Sequence, residues 1–147
     1  LLAAVLDERD RRIVSRLPRP EEGAEAALDA WANMVAHNQR HPDGVALYTA
    51  MSAAVIDSKH QAHPWFREHL IGAISYLVEA FEHGKTTGEV REDAPSEQIA
   101  RRLVAISDGL QVQWLCSRAD GGRALNMHEV MAGVAVDMKE RWLIRSE

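Results

Sequence analysis

The chain has 147 residues, 46% of them hydrophobic and 27% charged, which is one domain of ordinary size with enough apolar residues for a core. Its net charge of −5 excludes a domain that holds nucleic acid through a broadly basic face. Its one cysteine, Cys116, excludes an internal disulfide and fits a reducing compartment.

Prolines and glycines divide the chain into six expected helices. The first runs from about Leu1 to Leu17 and places Leu2, Leu6, Ile13 and Leu17 on one face. It leans basic, with Arg9, Arg11, Arg12, Arg16 and Arg19 interleaved with Asp7, Glu8 and Asp10, a pattern that reads as a solvated helix face. It also opens in mid-pattern at Leu1 and Leu2, as if something N-terminal were left out. The second helix is expected over Glu21 to Arg40, with an acidic start suited to the helix dipole and an apolar face of Leu28, Trp31, Met34 and Val35 that Asn38 continues. Pro42 opens the third, to about Asp57, with Leu47, Tyr48, Met51 and Val55. Pro64 opens the fourth, which Gly88 caps. Its core stripe is Phe66, Leu70, Ile74, Leu77 and Phe81, and a second, half-polar stripe is Trp65, His69, Gly72 and Tyr76. Pro95 opens the fifth helix, to about Arg118, and Asp120, Gly121 and Gly122 break the chain after it. Asn126 and Glu129 form a capping-box-like start for the last helix, Met127 to about Arg145. Sustained strand alternation is missing, so the expected fold class is all-α.

The fifth helix is apolar on two sides. Ile99, Leu103, Ile106, Leu110 and Trp114 share one arc, while Val104, Val112 and Leu115 lie opposite. A helix apolar on both faces needs cover on both. The last helix adds a stripe of Met127, Met131, Val134, Met138 and Trp142. Two such helices from each of two subunits would make a four-helix bundle, so a homodimer is expected. Asp108 and Gln111 sit among the second-face residues, where they either find polar partners across the interface or lie at its exposed rim.

Catalytic signatures are missing: no phosphate loop, no nucleophile elbow and no Glu-x-x-His pair. The chain is read as a non-enzyme without a cofactor. The histidines, including His37, His41, His60, His63 and His69, read as helix-end and loop residues rather than metal ligands. The second to fourth helices carry Trp31, Met34, Tyr48, Met51, Phe66 and Leu70, which suit an apolar pocket with Asn38, Tyr48 and Ser107 as its polar groups; the same residues would equally make an ordinary core. No apolar run reaches membrane-spanning length and no signal peptide is visible, so the expected location is cytoplasmic, with no membrane partner.

Three stretches carry a family resemblance: LLAAVLDERDRR, HPDGVALYTAMSAAVID followed by HPWFREHL, and above all GEVREDAPSEQIARRLVAISDGLQVQWL. Together they resemble the C-terminal regulatory domain of TetR-family transcriptional repressors, closest to the BetI-like subgroup, over essentially the whole chain. The resemblance implies a six-helix effector-binding and dimerisation domain over 1–147, whose last two helices form the four-helix bundle of a dimer. It implies a preceding helix-turn-helix domain that would hold operator DNA; nothing here resembles a recognition helix, so no DNA-contacting residue is named. Carried over, the interface would include Val104, Asp108, Gln111, Val112 and Leu115 with Met131, Val134 and Met138. The pocket for a small, mostly apolar effector would include Trp31, Met34, Asn38, Tyr48, Met51, Phe66, Leu70, Ile106 and Leu110. A helical dimerisation module without a ligand and a metal-sensing variant stay open as alternatives.

Overall fold

The computed structural model describes residues 1–119, 121 and 123–145. Six α-helices succeed one another: α1 (Leu2–Val14), α2 (Ala24–Gln39), α3 (Pro42–Ala54), α4 (His63–Thr87), α5 (Ser96–Ala119) and α6 (Met127–Trp142). Among the described residues no strand forms, only one isolated antiparallel bridge between Val90 and Leu143. The all-α expectation holds.

Several ends differ from the expected ones, each for a local reason. α1 stops at Val14, where the Ser15 hydroxyl donates to the Arg12 carbonyl at 2.9 Å and competes with the helical pattern. Glu21 and Glu22 do not open α2 but lie in a separate 3-10 turn, Pro20–Glu22, because Gly23 follows with φ 104°. The start of α2 is capped from a distance: the Glu25 amide donates to the Glu89 carboxylate at 2.7 Å. At the other end of the chain α6 stops at Trp142 rather than Arg145. Leu143 turns extended, Ile144 N donates to the Glu89 carbonyl, and Arg91 N donates to the Trp142 carbonyl. Gly88 does cap α4 in the left-handed region, and the Asn126 side chain does accept from Glu129 N. The expected break at Asp120 and Gly122 lies outside the described residues.

The main core joins α2, α4, α5 and α6. Leu28, Leu77, Phe81, Ile99, Leu103 and Met131 are almost wholly buried in it. A smaller cluster of Leu6, Tyr48, Ala62 and Phe66 lies where α1 and α3 meet the start of α4. α1 is the outlier among the helices. Leu6 is its one fully buried residue, and among the described residues no other helix packs closely along its backbone.

Two glycines of α4 test this packing in opposite senses. A Cβ at Gly72 meets open space, whereas one at Gly84 would overlap the Val90 side chain. Gly72→Ala is expected to stabilise by about 0.5–1 kcal/mol through helix propensity. Gly84→Ala is expected to destabilise by about 1–3 kcal/mol through overpacking. Urea denaturation of the two variants measures both.

Candidate ligand-binding cleft

α1 lies across the body with a cleft along one flank. The cleft has a volume of about 580 Å3 and is bounded by α1, the Leu17–Pro20 connection, α2 and α4. Its walls are largely apolar: Ile13, Leu17, Trp31, Met34, Trp65 and Tyr76. The wall from α4 is the half-polar stripe of Trp65, His69, Gly72 and Tyr76. These four sit one above another because residues three and four apart share a helix face. Tyr76 fastens the rim, its hydroxyl donating to the Pro18 carbonyl at 2.8 Å. Burial pushes that hydroxyl's pKa up to about 12.

Behind the cleft is a small cavity of about 60 Å3, mostly apolar in its walls but reached by several polar side chains, a size for one or two waters. The cleft and the cavity share Asp10, Ile13, Trp31, Met34, His69 and Ala73, so His69 and Asp10 stand at the boundary. His69 Nδ1 is 2.6 Å from Asp10 Oδ2, and Nε2 is 3.1 Å from the Tyr48 hydroxyl. The Tyr48 hydroxyl also donates to Asp108 Oδ1 at 3.3 Å. Trp65 stacks on the His69 ring, with centroids 5.0 Å apart and planes at 15°. Arg9 enters from α1, its guanidinium 5.1 Å from the Tyr48 ring centre and its Nη2 3.5 Å from Asn38 Oδ1. On the far side Trp31 Nε1 donates to Ser107 Oγ at 2.9 Å, and Thr49 Oγ1 donates to Gln111 Oε1 at 3.4 Å.

Hydrogen-bond arithmetic gives this chain of groups two arrangements. Asp10 accepts the Nδ1 hydrogen of His69. Tyr48 has one hydrogen for two acceptors, His69 Nε2 and Asp108. While Asp108 is ionised and only Nδ1 of the ring carries a hydrogen, one of those acceptors goes without; a hydrogen gained on the Asp108 carboxyl supplies it, since Asp108 then donates to the Tyr48 oxygen and Tyr48 to Nε2. Burial raises the pKa of Asp108, and the charges of Arg9 and His69 with the Tyr48 hydrogen bond oppose that rise. Burial also raises the Tyr48 pKa and lowers that of Arg9.

The expected pocket residues divide. Trp31 and Met34 line the cleft, and Asn38 and Tyr48 line the inner cavity with Ser107. Met51 and Phe66 pack in the smaller apolar cluster, while Ile106 and Leu110 belong to the main core. Leu70 is exposed on the outer side of α4, along a shallow groove. The expected interface residues divide as well. Met131 is wholly buried inside the subunit, and Val104 and Gln111 are 7% and 6% exposed and face the inner cavity. Asp108 faces it too. On the second face of α5, Val104, Asp108 and Gln111 are therefore covered by α3 and the cavity lining, a correction to their placement on an outward surface, whereas Val112 does stay outward. Val112 is half exposed, and Leu115, Val134 and Met138 are half buried. Asp10, Trp65, His69 and Tyr76 were not among the expected pocket residues, although the second α4 stripe contained three of them.

His37 and His41 have ring centres 4.3 Å apart with planes tilted by 33°, and among the described residues no three potential ligands converge on a metal-sized site. Comparisons of the chain with family models, with curated proteins and with solved structures gave no match.

Asp108 supplies a test with a definite sign. Its folded pKa is raised, so the fold disfavours its ionised form; that penalty is present above the raised value and disappears as pH falls through it toward the ordinary one. Asp108→Asn keeps an acceptor for Tyr48 and removes the buried charge. Its urea midpoint should exceed that of the parent at about pH 7.5, and the gap should close toward about pH 4. A lower midpoint at pH 7.5 would mean that the ionised carboxylate is favourable where it lies.

Proposed function

We propose that this chain is the effector-sensing and dimerisation domain of a TetR-type transcriptional regulator. The observation that carries the reading is the apolar cleft held between α1 and the body, closed at its inner end by the Asp10–His69 pair. Ligand sites are concave and mostly apolar, with a few placed polar groups, and this cleft has that composition and a suitable volume. A small, mostly apolar effector would lie against Trp31, Met34, Trp65 and Tyr76, with a polar end toward His69.

Such a ligand would act on α1. It would stand where α1 approaches α4 and would compete with the contacts that hold the helix down. DNA-reading domains joined ahead of α1 would change spacing as the helix moves, and paired half-sites require that spacing to match the helical repeat of DNA. Effector and operator affinities would then be linked reciprocally. The domain itself holds no operator in this reading, and it works by binding rather than by catalysis.

Pairing belongs to the same proposal, through a face that keeps Val112, Val134 and Met138 of the one read in the sequence and drops Val104, Asp108 and Gln111. Ala105, Gly109, Val112 and Cys116 form an exposed stripe of small side chains on α5, and Val130 and Gly133 are exposed on α6. Small residues let helices of two subunits approach closely, as a four-helix bundle requires. Val134 and Met138 would border this face, and Met131 would support it from within.

Two measurements bear on the proposal. Small apolar compounds should quench tryptophan fluorescence in the parent chain, and Gly72→Phe, which fills the mouth of the cleft, should weaken that binding at least tenfold while leaving helicity unchanged. Light scattering should give a dimer at about 50 μM that Val112→Arg splits, because a buried unpaired charge costs several kcal/mol. A parent chain that is monomeric at that concentration contradicts the pairing.

A further inference from the structure

The other flank of α1 has the opposite character. A second cleft of about 760 Å3 runs between α1 and the corner where α2 ends and α3 begins. Arg9, Arg12, Arg16, His37, Arg40 and His41 all line it, against two carboxylates, Glu8 and Asp43. Glu8 is already engaged by Arg12 at 2.9 Å and Arg11 at 3.3 Å. Among the described residues, Arg9, Arg16 and Arg40 have no carboxylate within ion-pair distance. In a chain of net charge −5, this concentration of cations is the exception.

The cleft carries an excess of positive charge, four arginines against Glu8 and Asp43, although Asp10 and Asp108 also act on Arg9 from the inner cavity. The Arg16 guanidinium lies 2.7 Å from His37 Nδ1 and so donates to a neutral ring. Burial, and then the charges of Arg16, His41, Arg40 and Arg9 in that order, lower the His37 pKa. Like charges converging without an anion between them oppose folding, and an anion would reverse that term. Arginine forks match the oxygens of carboxylates and phosphates in pairs. α3 begins at the same place without a side-chain cap; Pro42 has no N–H, so only the Asp43 and Gly44 amides are left there, beside the Asp43 carboxylate. Farther out, Ala4, Val5 and Leu47 give the wall an apolar part.

We infer that the cleft between α1 and the α2–α3 corner is a second ligand site, for a small organic anion bearing phosphate or multiple carboxylate groups, held by Arg16, Arg40 and His41 with Arg9 and Arg12. The site is separate from the apolar cleft, because it uses the opposite flank of α1. The first and second ligands would grip the same helix from two sides.

Calorimetric titration of the chain at low salt tests this, with pyrophosphate and citrate as separate probes. One site per chain is expected, weakening steeply with added salt. Tighter pyrophosphate binding assigns the phosphate class, and tighter citrate binding the carboxylate class. Arg16→Gln with Arg40→Gln should weaken binding at least tenfold. Arg101→Gln, which alters an exposed arginine on α5 paired with Glu97, should leave it within twofold. In NMR titrations the His37 midpoint should lie below the ordinary histidine value without anion and rise on saturation. Failure of both probes to bind at about 5 mM overturns the inference, as does equal weakening by Arg101→Gln. Neither result bears on apolar ligands in the first cleft, which Gly72→Phe tests alone.

Discussion

The contact between α1 and the rest of the molecule is the constraint on which the other features depend. Other helices are held by apolar burial; this one is held mainly by named polar contacts. Asp10 meets His69 at 2.6 Å, Arg9 reaches Asn38 and lies over Tyr48, Arg16 meets His37, and the connection after the helix is tied by Tyr76 to Pro18. Fully burying one aliphatic side chain contributes roughly 1.5–3 kcal/mol, and α1 has Leu6 alone in that state. Polar contacts that are partly exposed contribute about 0.5–1.5 kcal/mol each and depend on charge state. A helix held in this way is poised to move without unfolding the body.

Both clefts follow from the same geometry. A helix standing on a narrow apolar edge leaves a groove on each side. The groove toward α4 receives aromatic side chains and becomes apolar, while the groove toward the α2–α3 corner receives arginines and histidines and becomes cationic. The polar chain Asp10–His69–Tyr48–Asp108 runs from the first groove into the interior and ends on α5. It joins the movable helix to the helix proposed to meet a second subunit. In that proposal, a ligand that rearranges the chain is felt at both ends.

How much of this the sequence disclosed depends on the kind of signal. The helices were legible because proline, glycine and apolar spacing act locally. Gly88, Pro42, Pro64 and Asn126 each stand at or beside a helix end for a reason internal to a few residues. The ends that were misjudged depend on distant partners: Glu89 caps α2 from the end of α4, and Glu89 and Val90 draw Leu143 and Ile144 out of the helix. Trp31 and Met34 read as pocket or core residues alike, and the structure puts them in both settings: they pack in the main core and also line the cleft. Asp10, whose partner is 59 residues away, was not legible as a pocket residue. The interior position of Asp108 and Gln111 was hidden for a related reason. Polar residues on an apolar face look like surface until a cavity is known to lie beneath them.

The arginines of α1 show the same limit. Interleaved with Asp7, Glu8 and Asp10, they read as a solvated face, which remains true of Arg11, Arg12 and Arg16, all exposed. Arg9, Arg12 and Arg16 also share the flank that turns toward His37 and Arg40. Local charge balance along a helix says nothing about what a second helix brings to it.

Native-state amide hydrogen exchange tests the central claim most directly, that α1 is a separately movable element latched by polar contacts. The amides of α1 should exchange by local opening, well below the free energy at which the core amides of α2, α4 and α5 exchange, and Asp10→Asn should speed α1 alone. Exchange of α1 only through global unfolding, together with the core, would contradict the account.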